Sequence, residues 1–333
     1  MSATGDAMMK STWLVPLLLP LMALLSAPPP RKRKIGGQAI IEGIMMRGRD
    51  NLTIAVRKNE NEVVVERQEY FSLAKRHRIL SKPILRGAVS LIESLVIGYR
   101  ALSRSAEIIE SVEREKAGTA ATHKKNAAGQ SIASGISILI SLLVVFGVFM
   151  YLPMWILSHF VPKESALLFN MLAGALRIGF FLVYLFLISL WKEIRRVFEY
   201  HGAEHMAIFA FEAGHRLTSE NMRRFPTLHP RCGTSFLLIV GIICILLFSL
   251  VDAAYILLIG PYPSIPARFA VHLLLVPLIS GTSFELLRLS DRHKTVPIIG
   301  ALIKPGLWLQ KITTKTPDDS QLDVAARALK AAL

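Results

Sequence analysis

The densest chemistry in the chain lies in FEYHGAEHMAIFAFEAG, Phe198 to Gly214. His201 and His205 are four residues apart. On a helix that spacing puts both imidazoles on one face, one turn apart, within reach of one metal ion. Glu204 lies beside them, placed to act on a metal-bound water. H-x-x-E-H is the inverted zinc-peptidase pattern, although five residues alone are only moderately specific. Gly202 lowers helix propensity within the motif and points to close approach by another group.

More ligand types follow. Glu212 returns to nearly the same helical face as His205 two turns on, and His215 comes next. His229 and Cys232 stand three apart before an apolar stretch, and Glu285 ends the last apolar stretch. Glu285 suits a metal ligand, a partner of a ligand, or a mate for Arg288. His201, His205, His229 and Cys232 would make a tetrahedral nitrogen and sulfur set suited to Zn²⁺ or another divalent metal. The same residues also suit a hydrogen-bonded structural cluster in a polar loop. A closed four-ligand site would be structural, and a three-ligand site with an open position catalytic. The residue pattern does not separate these.

The elements that must position these groups are largely apolar. Of 333 residues, 52% are hydrophobic and 19% charged, with a formal charge of +15. Soluble domains run roughly 45–50% apolar and about 25% charged. Bulk disorder is excluded, and two cysteines exclude a disulfide scaffold. Four stretches have spanning length: Ile136–Leu157, Ala166–Trp191, Phe236–Ile259 and Pro266–Leu287. Short links around Pro162 and Gly260 pair them as two hairpins. Lys and Arg crowd the segment 192–235 and the region after the fourth span, while the hairpin links hold few. The positive-inside rule therefore places both termini and the His-rich loop in the cytoplasm, in a multi-pass protein of the inner cell membrane. Cys232 is then a free cytoplasmic thiol and Cys244 a lipid-buried one.

Residues 35–134 read as a cytoplasmic α+β region. Leu52–Arg57 and Glu62–Tyr70 suggest a β-hairpin. Ile84–Ser105 has apolar residues at helical spacing with Arg and Glu on another face. That amphipathic helix packs on its own domain or lies in the membrane interface. Residues 116–130 read as a linker, 135–290 as the four-span domain, and 291–333 as a cytoplasmic tail with an amphipathic helix. Residues 1–34 form an atypical extension. Its Trp13–Ala27 apolar run invites a signal peptide, but cleavage would send the basic Arg31–Arg49 region outward and no small-x-small site precedes Pro28, which favours an uncleaved anchor or an upstream start. Ionisable groups inside spans are costly. Arg177 and Asp252 lie at depths that would let them pair as helix–helix glue, with a translocation or proton role as the alternative.

Four motifs carry a resemblance. They are GGQAIIEGIMMRG from Gly36, YHGAEH from Tyr200, HPRCGTSF from His229 and PGLWLQKITT from Pro305. With them the chain from about Ile35 to Leu333 resembles the YqhQ-like family of uncharacterised bacterial membrane proteins, described as predicted metal-dependent enzymes. The resemblance implies a membrane location and a metal dependence, but no substrate. Family members tend to have an aromatic residue before a Glu at the end of span four, so Phe284-Glu285 joins the motif residues.

Two function classes follow. One is a membrane-bound zinc hydrolase with Glu204 as general base. The other is a non-enzymatic transporter or membrane assembly factor with a structural His/Cys cluster. Four spans are few for a monomeric transporter, so that version calls for a homo-oligomer. The lipid bilayer is the expected partner. The scattered Lys and Arg, without a recognised motif, argue against nucleic acid.

Overall fold

The computed structural model describes residues 35–60, 62–116, 127–162, 165–230, 232–292 and 297–333. The N-terminal extension, and residues 117–126 of the expected linker, lie outside these.

Four antiparallel strands come first among the described residues: β1 (Gly36–Ile40), β2 (Gly43–Arg47), β3 (Asn51–Arg57) and β4 (Val63–Glu69). They lie side by side in chain order. The hairpin expected from the sequence forms as β3 and β4, with Arg57 opposite Val63. Two further strands precede it, so the element is a four-stranded sheet. The reason is burial on both faces. Ile44, Met46 and Ala55 join one apolar cluster, while Met45, Ile54 and Val56 join another. A sheet covered on both sides has no need of an alternating pattern.

The helices that concern the site are α1 (Leu85–Lys116), α2 (Ala127–Phe146), α3 (Leu152–Leu157), α4 (Ala166–Ser189), α5 (Lys192–Glu212), α6 (Gly233–Leu258), α7 (Ile265–Leu274), α8 (Val276–Arg292), α9 (Pro297–Thr313) and α10 (Asp319–Ala332). Helix α1 runs on to Lys116, past the expected end at Ser105. Ile97, Ala101 and Ile108 of α1 cover one sheet face. Ala203 and Ala207 of α5, with Leu322 and Leu329 of α10, cover the other. The sheet core is thus completed by segments nearly the whole chain apart.

Helix α10 starts with a capping box. The Asp318 carboxylate accepts from the Gln321 amide, and the Gln321 side chain accepts from the Asp318 amide. Removing an N-cap oxygen leaves an orphan N–H at a helix end. Asp318→Ala should lower stability by about 1 kcal/mol. Thermal unfolding in detergent checks this, and an unchanged midpoint would count against the cap.

Among the described residues, three helical stretches are long and apolar enough to cross a membrane: Gly135–Leu157, Ala166–Ser189 and Ile239–Leu258. The first passes through a π-helical turn at Gly147–Tyr151. The expected fourth span is not one rod. Helices α7 and α8 meet at a 45° bend, so they count as a fourth only if taken as a broken pair. Pro277 sits at the second position of α8. It has no N–H to continue the α7 ladder, which breaks the helix there.

The expected Arg177–Asp252 pair is replaced by a different one. Asp252 pairs with Arg268, accepts from Asn170 at 2.8 Å and Tyr262 at 2.9 Å, and lies 2.9 Å from His272 Nε2. Arg268 and His272 are one turn apart on α7, which the tight link after α6 folds back onto Asp252. Arg177 instead lies over the Phe248 ring, 5.3 Å from its centroid.

Candidate metal centre

Helix α5 builds the centre by dividing its faces. Tyr200, Ala203, Ala207 and Ala210 are fully buried in the core shared with α10 and the sheet. That packing fixes the helix about its axis and turns His201 and His205 toward the start of α6. Their ring centroids lie 4.4 Å apart. Cys232 is the N-cap of α6, and its sulfur accepts from the Thr234 amide at 3.5 Å. His201 Nε2 lies 3.1 Å from Cys232 Sγ. One ligand atom each from His201, His205 and Cys232 fall within 4.8 Å of one another.

Backbone carbonyls orient both rings. His201 Nδ1 lies 2.7 Å from the Thr313 carbonyl, and His205 Nδ1 bonds the Thr227 carbonyl. A carbonyl only accepts, so each neutral ring carries its proton on Nδ1. Each Nε2 then presents its lone pair, that of His201 toward Cys232 Sγ, as a metal ligand requires. Gly202 makes this possible. A Cβ there would collide with the Lys315 carbonyl oxygen, and the Lys315 amide donates to Phe198 at 2.9 Å. Close approach at Gly202 is what brings the Thr313 carbonyl to His201.

His229 is next to the trio but outside that set of three. Its ring centroid lies 5.4 Å from His205 and 4.5 Å from Phe209. Gln310 clamps its backbone, accepting from the His229 amide at 2.7 Å and donating to its carbonyl at 2.9 Å. Glu204 is buried and accepts from the Gly37 amide. Burial pushes its pKa up to about 7, opposed by nearby His201 and by that N–H. A carboxyl that titrates near neutrality is matched to proton transfer at physiological pH.

His201, Glu204, His205, His229 and Cys232 all line one cleft of about 510 Å³. Glu212 and Glu285 are not among the described residues lining it. Glu212 lies seven residues beyond His205, which is about 10 Å of axial rise, too far to share its metal. Glu285 makes a two-point ion pair with Arg86 of α1. His215 packs edge-on against Phe225. Cys232 and Cys244 are both free thiols.

A family model described as "Protein of unknown function (DUF1385)" matches residues 82–333. The chain belongs to this family. "Uncharacterized protein YqhQ" of Bacillus subtilis (strain 168) is 29% identical over 301 residues, covering 87% of this chain and 89% of that protein. No solved structure matches the chain. The DUF1385 match includes α5, Cys232 and α9 but stops short of the sheet that supplies Gly37.

Residue reasoning missed Gly37, Thr227, Gln310 and Thr313. Gln310 and Thr313 lie in the Pro305–Thr314 motif, which gave a signal without a role. Thr227 and Thr313 act through main-chain oxygens, which no side-chain pattern marks.

Proposed function

We propose that this DUF1385 protein is a metal-dependent hydrolase of the inner membrane, with zinc as the best-fitting metal and its cleft at the cytoplasmic surface. The convergence of His201, His205 and Cys232, with both rings held by carbonyls, carries this reading. Two imidazoles and a thiolate are a borderline-soft set that suits zinc. Three protein donors leave a coordination position open, the arrangement of catalytic sites. Zinc held there would supply an activated water at neutral pH. Glu204 lines the same cleft and is the group to take the proton from attacking water and deliver it to the leaving group. Ile97, Val197 and Ile208 form apolar walls that limit bulk water. The apolar helices, and the Lys and Arg bias of their links, support the membrane placement.

Metal analysis of detergent-purified protein tests the reading. Wild type should hold about one zinc per chain. His201→Ala and Cys232→Ser should each lower zinc affinity by ~10-fold or more. Wild-type protein that leaves a zinc-loading column metal-free would sink the proposal. The α7–α8 break beside the buried Asp252 cluster favours a second reading, a transporter in which the trio is a structural clip.

A further inference from the structure

The cleft is walled by Ile35, Gly36, Gly37, Gln38 and Ala39 in unbroken succession. Successive strand residues point to opposite faces. Ile97 of α1, on one sheet face, and Ile208 of α5, on the other, line the same cleft, so it passes round the outer edge of β1. Among the described residues, strand β1 is the first in the sheet order and β2 is its one neighbouring strand. Its other edge therefore faces the cleft.

The register says which groups are free there. Ile40 pairs with Gly43 across the two-residue turn Ile41–Glu42. A two-residue hairpin closes on a hydrogen-bonded pair, and such pairs alternate along an antiparallel ladder. Ile40, Gln38 and Gly36 thus point their N–H and C=O groups at β2, while Ala39 and Gly37 point theirs outward. The Gly37 amide, which donates to Glu204, agrees with this. Ala39 keeps its side chain against the apolar core, so its outward N–H and C=O are held in place.

We infer that the cleft takes an extended polypeptide, which pairs with the free edge of β1 at Ala39 and lies across the His201, His205 and Cys232 cluster. This deepens the hydrolase reading and rests on it. Five strand residues span roughly 15 Å, enough to register about four residues of substrate. Strand addition supplies main-chain hydrogen bonds whatever the side chains, which suits many sequences. Because Cys232 caps the start of an apolar helix, the substrate segment lies close to the membrane surface. In the reaction, water oxygen bonds to the peptide carbonyl carbon and Glu204 accepts the water proton. The C–N bond then breaks, that proton passes to the leaving nitrogen, and the second water proton leaves the new carboxyl group for the amine, giving a carboxylate end and an ammonium end.

The test uses full-length protein in detergent with fluorescein-labelled β-casein, an unstructured polypeptide. Glu204→Gln protein should bind it, read by fluorescence anisotropy. Adding Ala39→Pro, which removes one outward N–H at an edge that tolerates proline, should weaken binding by ~10-fold or more with zinc content unchanged. Wild type should cut the casein at internal peptide bonds. A second measurement needs no variant beyond Glu204→Gln. Synthetic peptides spanning the cut site, each carrying one N-methyl amide, should bind ~10-fold more weakly at the position that donates to Ala39. Zinc-loaded protein that ignores casein, or binds it equally with Ala39→Pro and with every N-methyl peptide, overturns the polypeptide inference and leaves the hydrolase reading standing. Wild type without zinc removes the hydrolase reading itself, and the inference with it.

Discussion

Glu204→Gln should abolish hydrolysis while leaving zinc content and fold in place. Glutamine has nearly the same volume, and its carbonyl oxygen can still accept from the Gly37 amide. It cannot accept the proton that water must lose. General-base assistance is worth about 10²–10⁴ in rate, so kcat should fall by that factor. Zinc should remain, because the three donors are His201, His205 and Cys232. Turnover of whichever amide or ester wild type cleaves, measured beside metal content, decides the matter. If kcat with zinc bound falls by less than about 10-fold, Glu204 is not the base. If neither wild type nor variant turns over any such substrate while both hold zinc, the structural clip gains, since a clip has no use for a proton acceptor.

Asp252→Ala should be the most destabilising single change outside the candidate centre. Arg268 is 1% exposed and its carboxylate partner 0%. Removing one member of a buried pair strands the other charge and costs about 3–5 kcal/mol. Tyr262, Asn170 and His272 would lose their shared partner as well. The thermal midpoint in detergent should drop sharply, or the protein should fail to accumulate. Replacing both charges with apolar residues of similar size, Asp252→Leu with Arg268→Met, should recover most of the loss, because no unpaired charge then remains. A double variant as unstable as the single one would show that the cluster does more than hold helices together.

The two imidazoles that converge were readable from spacing, because helical geometry fixes where residues four apart must lie, whereas Cys232 was one candidate among several. Cys232 was readable as a ligand type but not as a helix cap, since capping depends on where α6 begins. Glu285 was misplaced because its partner, Arg86, lies 199 positions away, and residue order says nothing about that distance. The first two strands were hidden for a different reason. Their glycines depress strand propensity, and burial on both faces erased the alternation that marked β3 and β4. The broken fourth span carried its own warning in Pro277, a residue that hydropathy windows ignore. Arg268 was passed over beside Arg177 because counting depth along straight rods cannot see α7 fold back onto α6.

The sheet face beneath α10 has a consequence for the order of biosynthesis. Met46 leaves the ribosome early, yet Leu329, which shares its cluster, is made 283 positions later. At about 5–20 residues per second that interval is roughly 15–60 s. Throughout it, the apolar strands lack their lid, and the Thr313 carbonyl that aims His201 does not yet exist. A ribosome-bound chain therefore has neither a finished core nor an oriented metal pair until synthesis has passed α9 and α10. On the proposed zinc reading, metal capture would follow the making of the described apolar helices, and a chain truncated before Thr313 should bind zinc more weakly than the full chain.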